Sequence, residues 1–122
     1  NEIDRADVPQ RHGAYEHGLN DISRVAQRLI GRNHMVATAF GVAGAFDAAG
    51  VMIGCGNLPQ WIGKNVARDL RRMFNAPAIV LNDCEAAALG EYQALQSPLA
   101  YVGWGTGVGV AAVNVLARRA IV

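Results

Sequence analysis

The stretch Ala78-Ile-Val-Leu-Asn-Asp-Cys-Glu-Ala-Ala-Ala-Leu-Gly-Glu91 decides the fold of this chain. It opens with a short apolar run of the kind that makes a buried strand. An alanine-rich segment with high helix propensity follows directly after Asn82 and Asp83. The pattern predicts a strand that passes into a helix, with Asp83 at the carboxyl end of a sheet. Ligands of open α/β sheets bind at that end, although Asp and Asn are also preferred helix caps.

Length and composition indicate one soluble α/β domain. The chain has 122 residues, of which 52% are hydrophobic and 17% charged, and its 14 glycines predict many tight turns. A net charge of +1 gives no electrostatic basis for binding nucleic acid or a membrane surface. No apolar run approaches the roughly 20 residues of a membrane span, and the polar amino terminus is unlike a signal peptide. Cys55 and Cys84 lack metal-ligand spacing, which favours reduced thiols in the cytoplasm.

Alternating strand and helix patterns run through most of the chain. They predict a mixed or largely parallel sheet covered by helices. The predicted elements are a helix from Glu16 to a C-cap at Gly31, a strand over 35–41, a hairpin over 45–53, a helix over 64–74, and strands over 99–104 and 110–116. The loop Gly54–Trp61 presents Asn57, which either holds a polar ligand or belongs to an ordinary connection.

The glycine-rich segment Gly105-Thr-Gly-Val-Gly109 lies between the last two predicted strands. Such a turn directs several backbone N–H groups toward one point and adds the hydroxyl of Thr106, which suits phosphate oxygens. The segment is not a Walker loop, because Gly-Lys-Ser/Thr is missing at its end. It is also not a dinucleotide fingerprint, because a strand rather than a helix follows it.

Four motifs together resemble the ROK family of sugar kinases and sugar-responsive repressors, within the actin-like ATPase superfamily. They are Gly41-Val-Ala-Gly44, Asn57-Leu-Pro-Gln-Trp61, the segment Asn82 to Glu91, and Gly105-Thr-Gly-Val-Gly109, in this order. The resemblance covers roughly residues 35–115. It implies an α/β fold that forms part of an actin-like (ribonuclease H-like) lobe, with a mixed sheet flanked by helices.

The resemblance also implies a site and a reaction. Asp83 matches the catalytic base that takes the proton from a sugar hydroxyl as it attacks the γ-phosphate of ATP, a reaction that uses Mg²⁺. The N-terminus of the following helix favours the ionised form of this carboxylate. The matches for sugar binding are Asn57, Asn82 and Gly44, and those for the second phosphate loop are Gly105, Thr106 and Gly107. No protein ligand for a metal is implied.

Several family features are missing from these 122 residues. The first phosphate loop, Asp-x-Gly-Gly-Thr, the sugar contact Glu-x-Gly-His, the cysteine-rich zinc motif and the second lobe are absent. Glu85 stands where Asn is more usual, and Val110 to Ala112 replace further glycines. We therefore expect residues 1–122 to be a single incomplete domain from the N-terminal lobe of a two-lobed sugar kinase. We expect this piece alone to be inactive and the full-length protein to be a cytoplasmic homodimer.

Three functions remain open from the sequence. The first is phosphorylation of a hexose or an N-acetylhexosamine by ATP. The second is sugar sensing in a ROK-type repressor, which needs no catalysis. The third is an α/β interaction domain in which every motif is structural, and it would be supported by an Asp83 that is buried, paired and remote from any cleft.

Overall fold

The computed structural model describes residues 4–8, 14–105 and 107–114, together with the backbone of 119–121. Helices and strands alternate through the first two thirds of this region, and antiparallel strands follow. The elements are α1 (Tyr15–Ile30), β1 (Thr38–Val42), β2 (Ala45–Phe46), β3 (Met52–Gly54), a short 3₁₀ helix (Pro59–Trp61), α2 (Val66–Phe74), β4 (Ala78–Asn82), α3 (Asp83–Leu95), β5 (Leu99–Trp104), β6 (Val108–Asn114) and β7 (Arg119–Ile121).

Strand pairing is mixed, as the sequence predicts, but the strands form three small sheets. β1 and β4 are parallel, β2 and β3 form an antiparallel hairpin, and β5, β6 and β7 form an antiparallel sheet in that order. In the parallel pair Val42 lies opposite Asn82, so both strands end at the same edge. This edge carries the start of α3, and the predicted passage from strand to helix is confirmed.

The larger core is built around Trp61. Its ring meets the ring of Tyr15 edge to face at 4.8 Å between centroids, and stacks parallel to Phe40 at 5.8 Å. A Cβ atom at position 18 would stand 2.9 Å from Cζ2 of the indole, which explains why a glycine lies within α1 despite its low helix propensity. Trp61 thus joins α1 to β1.

A hydrogen bond joins α1 to α2 across this core. The hydroxyl of Tyr15 donates to Oδ2 of Asp69 at 2.9 Å, and Nε of Arg68 donates to Oδ1 at 2.8 Å. Burial, with the hydrogen bond to Asp69, raises the pKa of Tyr15 well above its usual range. Burial opposes ionisation of Asp69, but the bonds from Arg68 and Tyr15 outweigh it and lower the pKa of that carboxyl.

A second core lies between α3 and the antiparallel sheet. Its buried members are Cys84 and Ala88 from α3 and Ala111 and Val113 from β6. Two glycines, Gly103 and Gly109, lie directly opposite each other on β5 and β6 beneath the thiol of Cys84. A Cβ atom at position 103 would approach Sγ to 3.2 Å, and one at position 109 would overlap it. The glycine pair therefore lets the start of α3 lie close against the sheet.

Several apolar residues are more exposed than the sequence predicts. Ile79, in the strand predicted to be buried, is 57% exposed. Val36 is 85% exposed and precedes β1, which begins at Thr38 rather than at residue 35. The outer face of the β5–β6 hairpin is an exposed ladder in which Val102 opposes Val110 and Trp104 opposes Val108.

Other element boundaries move by a few residues from those predicted. The predicted helix over 64–74 begins at Val66, because the side chain of Asn65 accepts a hydrogen bond from the backbone N–H of Arg68 and caps it. The strand predicted over 110–116 is β6, which begins at Val108, and residues 115 and 116 lie outside the described part. Among the described helices, none is long and apolar enough to span a membrane.

Candidate functional site

A cleft of about 750 Å³ opens at the carboxyl ends of β1 and β4. Four segments line it: the turn after β1, the loop after β3, the first residues of α3, and the β5–β6 hairpin. The cleft brings together the described residues that the sequence predicts as a site: Gly44, Asn57, Asn82, Asp83, Gly105 and Gly107. Thr106, the remaining predicted residue, lies outside the described part of the chain.

Asp83 is the first residue of α3 and is exposed to the cleft. Its Oδ1 accepts a hydrogen bond from the backbone N–H of Cys84 at 2.9 Å. The helix N-terminus carries a partial positive charge, which stabilises a carboxylate at this position. Asp83 is neither buried nor remote from a cleft, so the arrangement that would support a purely structural role is not observed.

Asn82 connects two walls of the cleft. Its side-chain Oδ1 accepts from the backbone N–H of Cys84 at 2.9 Å, and its Nδ2 donates to the carbonyl oxygen of Gly44 at 3.0 Å. Two residues predicted to bind substrate are therefore bonded to each other. An amide oxygen has a second lone pair and an amide nitrogen a second hydrogen, so Asn82 keeps capacity for one more bond on each atom.

The start of α3 is closed by a capping box. Asn82, not Asp83, is the N-cap, and its backbone N–H donates to Oε2 of Glu85 at 3.0 Å while its own side chain caps the first turn. Such reciprocal bonds satisfy N–H groups that a helix N-terminus leaves unpaired. The spacing Asn-x-x-Glu, which is the signal for this box, is visible in the sequence.

The loop after β3 carries Asn57, which is exposed at the cleft. Sγ of Cys55 lies 3.1 Å from the carbonyl oxygen of Ala43, so the thiol connects this loop to the turn after β1. Gly44 lies in the same turn, where a Cβ atom would be only 3.0 Å from the carbonyl oxygen of Gly54. A side chain at position 44 would therefore collide with the neighbouring hairpin.

The glycine segment forms the turn between β5 and β6, as the sequence predicts. The backbone N–H of Gly105 donates to the carbonyl oxygen of Gly107 at 2.9 Å, which closes the turn. Gly109 is the last glycine of the motif, and it lies in β6 against Cys84. Its small size therefore serves the contact between α3 and the hairpin, which lies next to the cleft.

Some cleft residues were not predicted from the sequence. Cys55, Tyr101 and Gly103 line the cleft, and only the alternation of β5 places Tyr101 and Gly103 on one face. Among residues 4–8, 14–105 and 107–114, no group of three His, Cys, Asp or Glu side chains is placed to hold a metal ion. Both cysteines are free thiols.

Comparison with known proteins identifies relatives. The sequence matches the ROK family over residues 2–118. A ROK hexokinase from Thermus thermophilus superposes with a TM-score of 0.76 and 26% identity, covering 93% of this chain and 39% of that one. An inorganic polyphosphate/ATP-glucomannokinase from Arthrobacter sp. strain KM superposes with a TM-score of 0.65 and 21% identity, covering 80% of this chain and 42% of that one. This likeness shows a shared fold.

The chain spans about two fifths of the length of these two structures. No curated protein matches its sequence. The predicted fold class, part of an actin-like lobe with mixed strand pairing and flanking helices, is confirmed.

Proposed function

The chain belongs to the ROK family, and we propose that it is part of a kinase that transfers the γ-phosphoryl group of ATP to a hydroxyl of a hexose or an N-acetylhexosamine. The observation that carries this proposal is the position of Asp83. Its exposed carboxylate lies at the start of a helix, in the same cleft as a glycine turn suited to phosphate. The superposition on a ROK hexokinase supports the class of reaction.

Asp83 is the proposed general base. As the sugar hydroxyl oxygen attacks the γ-phosphorus, its proton passes to the carboxylate, the bond from that phosphorus to the β–γ bridging oxygen breaks, and ADP leaves. Phosphoryl transfer depends mainly on positioning and charge neutralisation, so one well-placed carboxylate is the main acid–base requirement. The start of α3 supplies that placement, because its first turn is held by hydrogen bonds on both sides of Asp83.

The remaining predicted residues receive binding roles in this proposal. Asn57, Asn82 and Gly44 hold the sugar hydroxyls, and Gly105, Thr106 and Gly107 hold phosphate oxygens of ATP. Mg²⁺ neutralises charge on the transferring phosphoryl group. Mg²⁺ commonly binds through substrate phosphates and water rather than a dedicated protein cage. The cleft fits that arrangement, since Asp83 is the one carboxylate among its described lining residues.

We further propose that this chain is a piece of the N-terminal lobe of a longer protein. The first phosphate loop and the second lobe would lie in the remainder, so residues 1–122 alone would not turn over ATP. The complete protein would be a cytoplasmic homodimer. Residues 1–122 would not bind nucleic acid. The chain spans only 39% and 42% of the lengths of the two structural neighbours, which supports the proposal that it is part of a longer protein.

ADP release by the full-length protein, measured against a panel of hexoses and N-acetylhexosamines, tests the function. We expect sugar-dependent turnover in the wild type and a loss of about 10²–10⁴-fold in kcat for Asp83→Asn, the range that a general base contributes. The matched control is Glu91→Gln, which removes an exposed carboxylate from the same helix and should leave kcat unchanged.

Other outcomes would redirect or refute the proposal. Sugar binding without turnover, measured by calorimetry, would favour the sensor domain of a ROK-type repressor. Equal activity of Asp83→Asn and wild type would remove Asp83 as the base. Absence of both sugar binding and turnover would contradict the proposed function.

A further inference from the structure

We propose that Glu85 is a positioning residue that sets the location of the Asp83 carboxylate through the capping box. This inference rests on the proposed function. Glu85 is not among the residues that line the cleft, so it would not touch a substrate bound there. Its effect on the reaction would therefore pass entirely through the backbone of Asn82 and Asp83.

The hydrogen bonds define how this works. Glu85 Oε2 accepts from the backbone N–H of Asn82 at 3.0 Å, one residue before Asp83, and Asn82 Oδ1 accepts from the backbone N–H of Cys84 at 2.9 Å, one residue after it. The backbone of Asp83 is thus held from both sides. The box therefore sets the backbone from which the side chain extends, and the bond from the N–H of Cys84 to Oδ1 of Asp83 orients the carboxylate on that backbone.

The same box also orients a second cleft residue. Asn82 Nδ2 donates to the carbonyl oxygen of Gly44 at 3.0 Å, which connects the first turn of α3 to the turn after β1. If Glu85 no longer held the backbone of Asn82, both the cap and this connection would loosen together. A shift of about 1 Å in a reacting group costs on the order of 10²-fold in rate.

The hydrogen bond, rather than the negative charge, is the property that matters. Glu85 places a second carboxylate two residues from Asp83 in the first turn of α3, where the partial positive charge of the helix N-terminus offsets both. A glutamine keeps the acceptor oxygen and completes a capping box equally well. Glu85→Gln therefore separates geometry from charge.

The test compares three variants of the full-length protein. We expect Glu85→Ala to lower kcat about 10–100-fold while the KM for ATP stays nearly constant, because the glycine turn that would bind phosphate lies on a different element. Glu85→Gln should restore kcat to near the wild-type value. Glu91→Ala, on an exposed position of the same helix, is the control for any general effect on α3.

A second measurement does not depend on turnover. Hydrogen exchange of the Asn82 amide should be slow in the wild type and in Glu85→Gln, and much faster in Glu85→Ala. A loss of kcat shared equally by Glu85→Ala and Glu85→Gln would overturn the inference, and so would faster exchange in Glu85→Ala with unchanged kcat. A wild-type protein that shows no turnover with any sugar would instead refute the proposed function.

Discussion

Replacing Gly109 with alanine should destabilise the protein, and the cause should be one contact with Cys84. The added Cβ would overlap Sγ of Cys84 and lie 3.6 Å from its Cβ. Cys84 is only 8% exposed and belongs to the core between α3 and the hairpin, so its thiol would have to leave its packed position to admit the new methyl group. Overpacking of this kind costs about 1–3 kcal/mol in free energy of unfolding.

The same contact predicts a rescue. Cys84→Ala alone removes one buried sulfur atom and should cost roughly 1 kcal/mol through the small cavity that it leaves. In the double variant Gly109→Ala/Cys84→Ala, the new Cβ occupies the space that the sulfur vacated. The double variant should therefore lose less free energy of unfolding than the two single variants lose in sum, with a coupling free energy of about 1–2 kcal/mol.

Urea unfolding of the four proteins, followed by far-ultraviolet circular dichroism, measures this coupling. Gly54→Ala is the control, because Gly54 is also in a strand and an added Cβ there meets nothing within 4 Å. If the effects of Gly109→Ala and Cys84→Ala add to within about 0.5 kcal/mol, the close approach of α3 to the hairpin is not what requires a glycine at position 109.

Two further predictions concern stability. Gly90 and Gly18 both lie in helices, but an added Cβ meets nothing at Gly90 and stands 2.9 Å from Trp61 at Gly18. Gly90→Ala should thus raise stability by about 0.5–1 kcal/mol, while Gly18→Ala should not, and equal gains in thermal denaturation would contradict this. The bond from Tyr15 to Asp69 predicts a stability plateau at intermediate pH. Asp69 contributes to the free energy of unfolding above its ordinary pKa of 3.8, and this contribution falls away in acid because folding lowers the pKa of Asp69. Tyr15 contributes to the free energy of unfolding below its ordinary pKa of 10.0, and this contribution is lost in alkali because folding raises the pKa of Tyr15. Tyr15→Phe should flatten the alkaline limb of the profile and weaken the acid limb, which the bond from Arg68 to Asp69 also supports, and an unchanged profile would exclude the Tyr15–Asp69 bond as a source.

Local sequence patterns predict the elements around the cleft better than they predict the sheets. The passage from β4 to α3, the β2–β3 hairpin and the glycine turn each have a local pattern, and all three are confirmed. The carboxyl ends of the parallel strands β1 and β4 meet at one edge. Asn82, the last residue of β4, and Asp83, the first residue of α3, both line the cleft at that edge. Each of these features depends on residues that are close together in the sequence, so its pattern can be recognised from one sequence.

Long-range contacts account for what could not be predicted. The bond from Tyr15 to Asp69 joins residues 54 positions apart, and no periodic pattern links them. The pairing of Gly103 with Gly109 under Cys84 depends on the register of a hairpin and on the approach of a helix to it. Division into three sheets likewise depends on which strands hydrogen-bond, whereas hydrophobic patterns indicate only which residues are apolar.

The two tryptophans give the protein two distinct optical probes. Trp61 is 4% exposed and lies against two aromatic rings, so its fluorescence should be blue-shifted and shielded from dissolved quenchers. Trp104 is 86% exposed at the rim of the cleft, so its emission should be red-shifted and readily quenched. An unlabelled sample can therefore report separately on the integrity of the core and on events at the edge of the cleft.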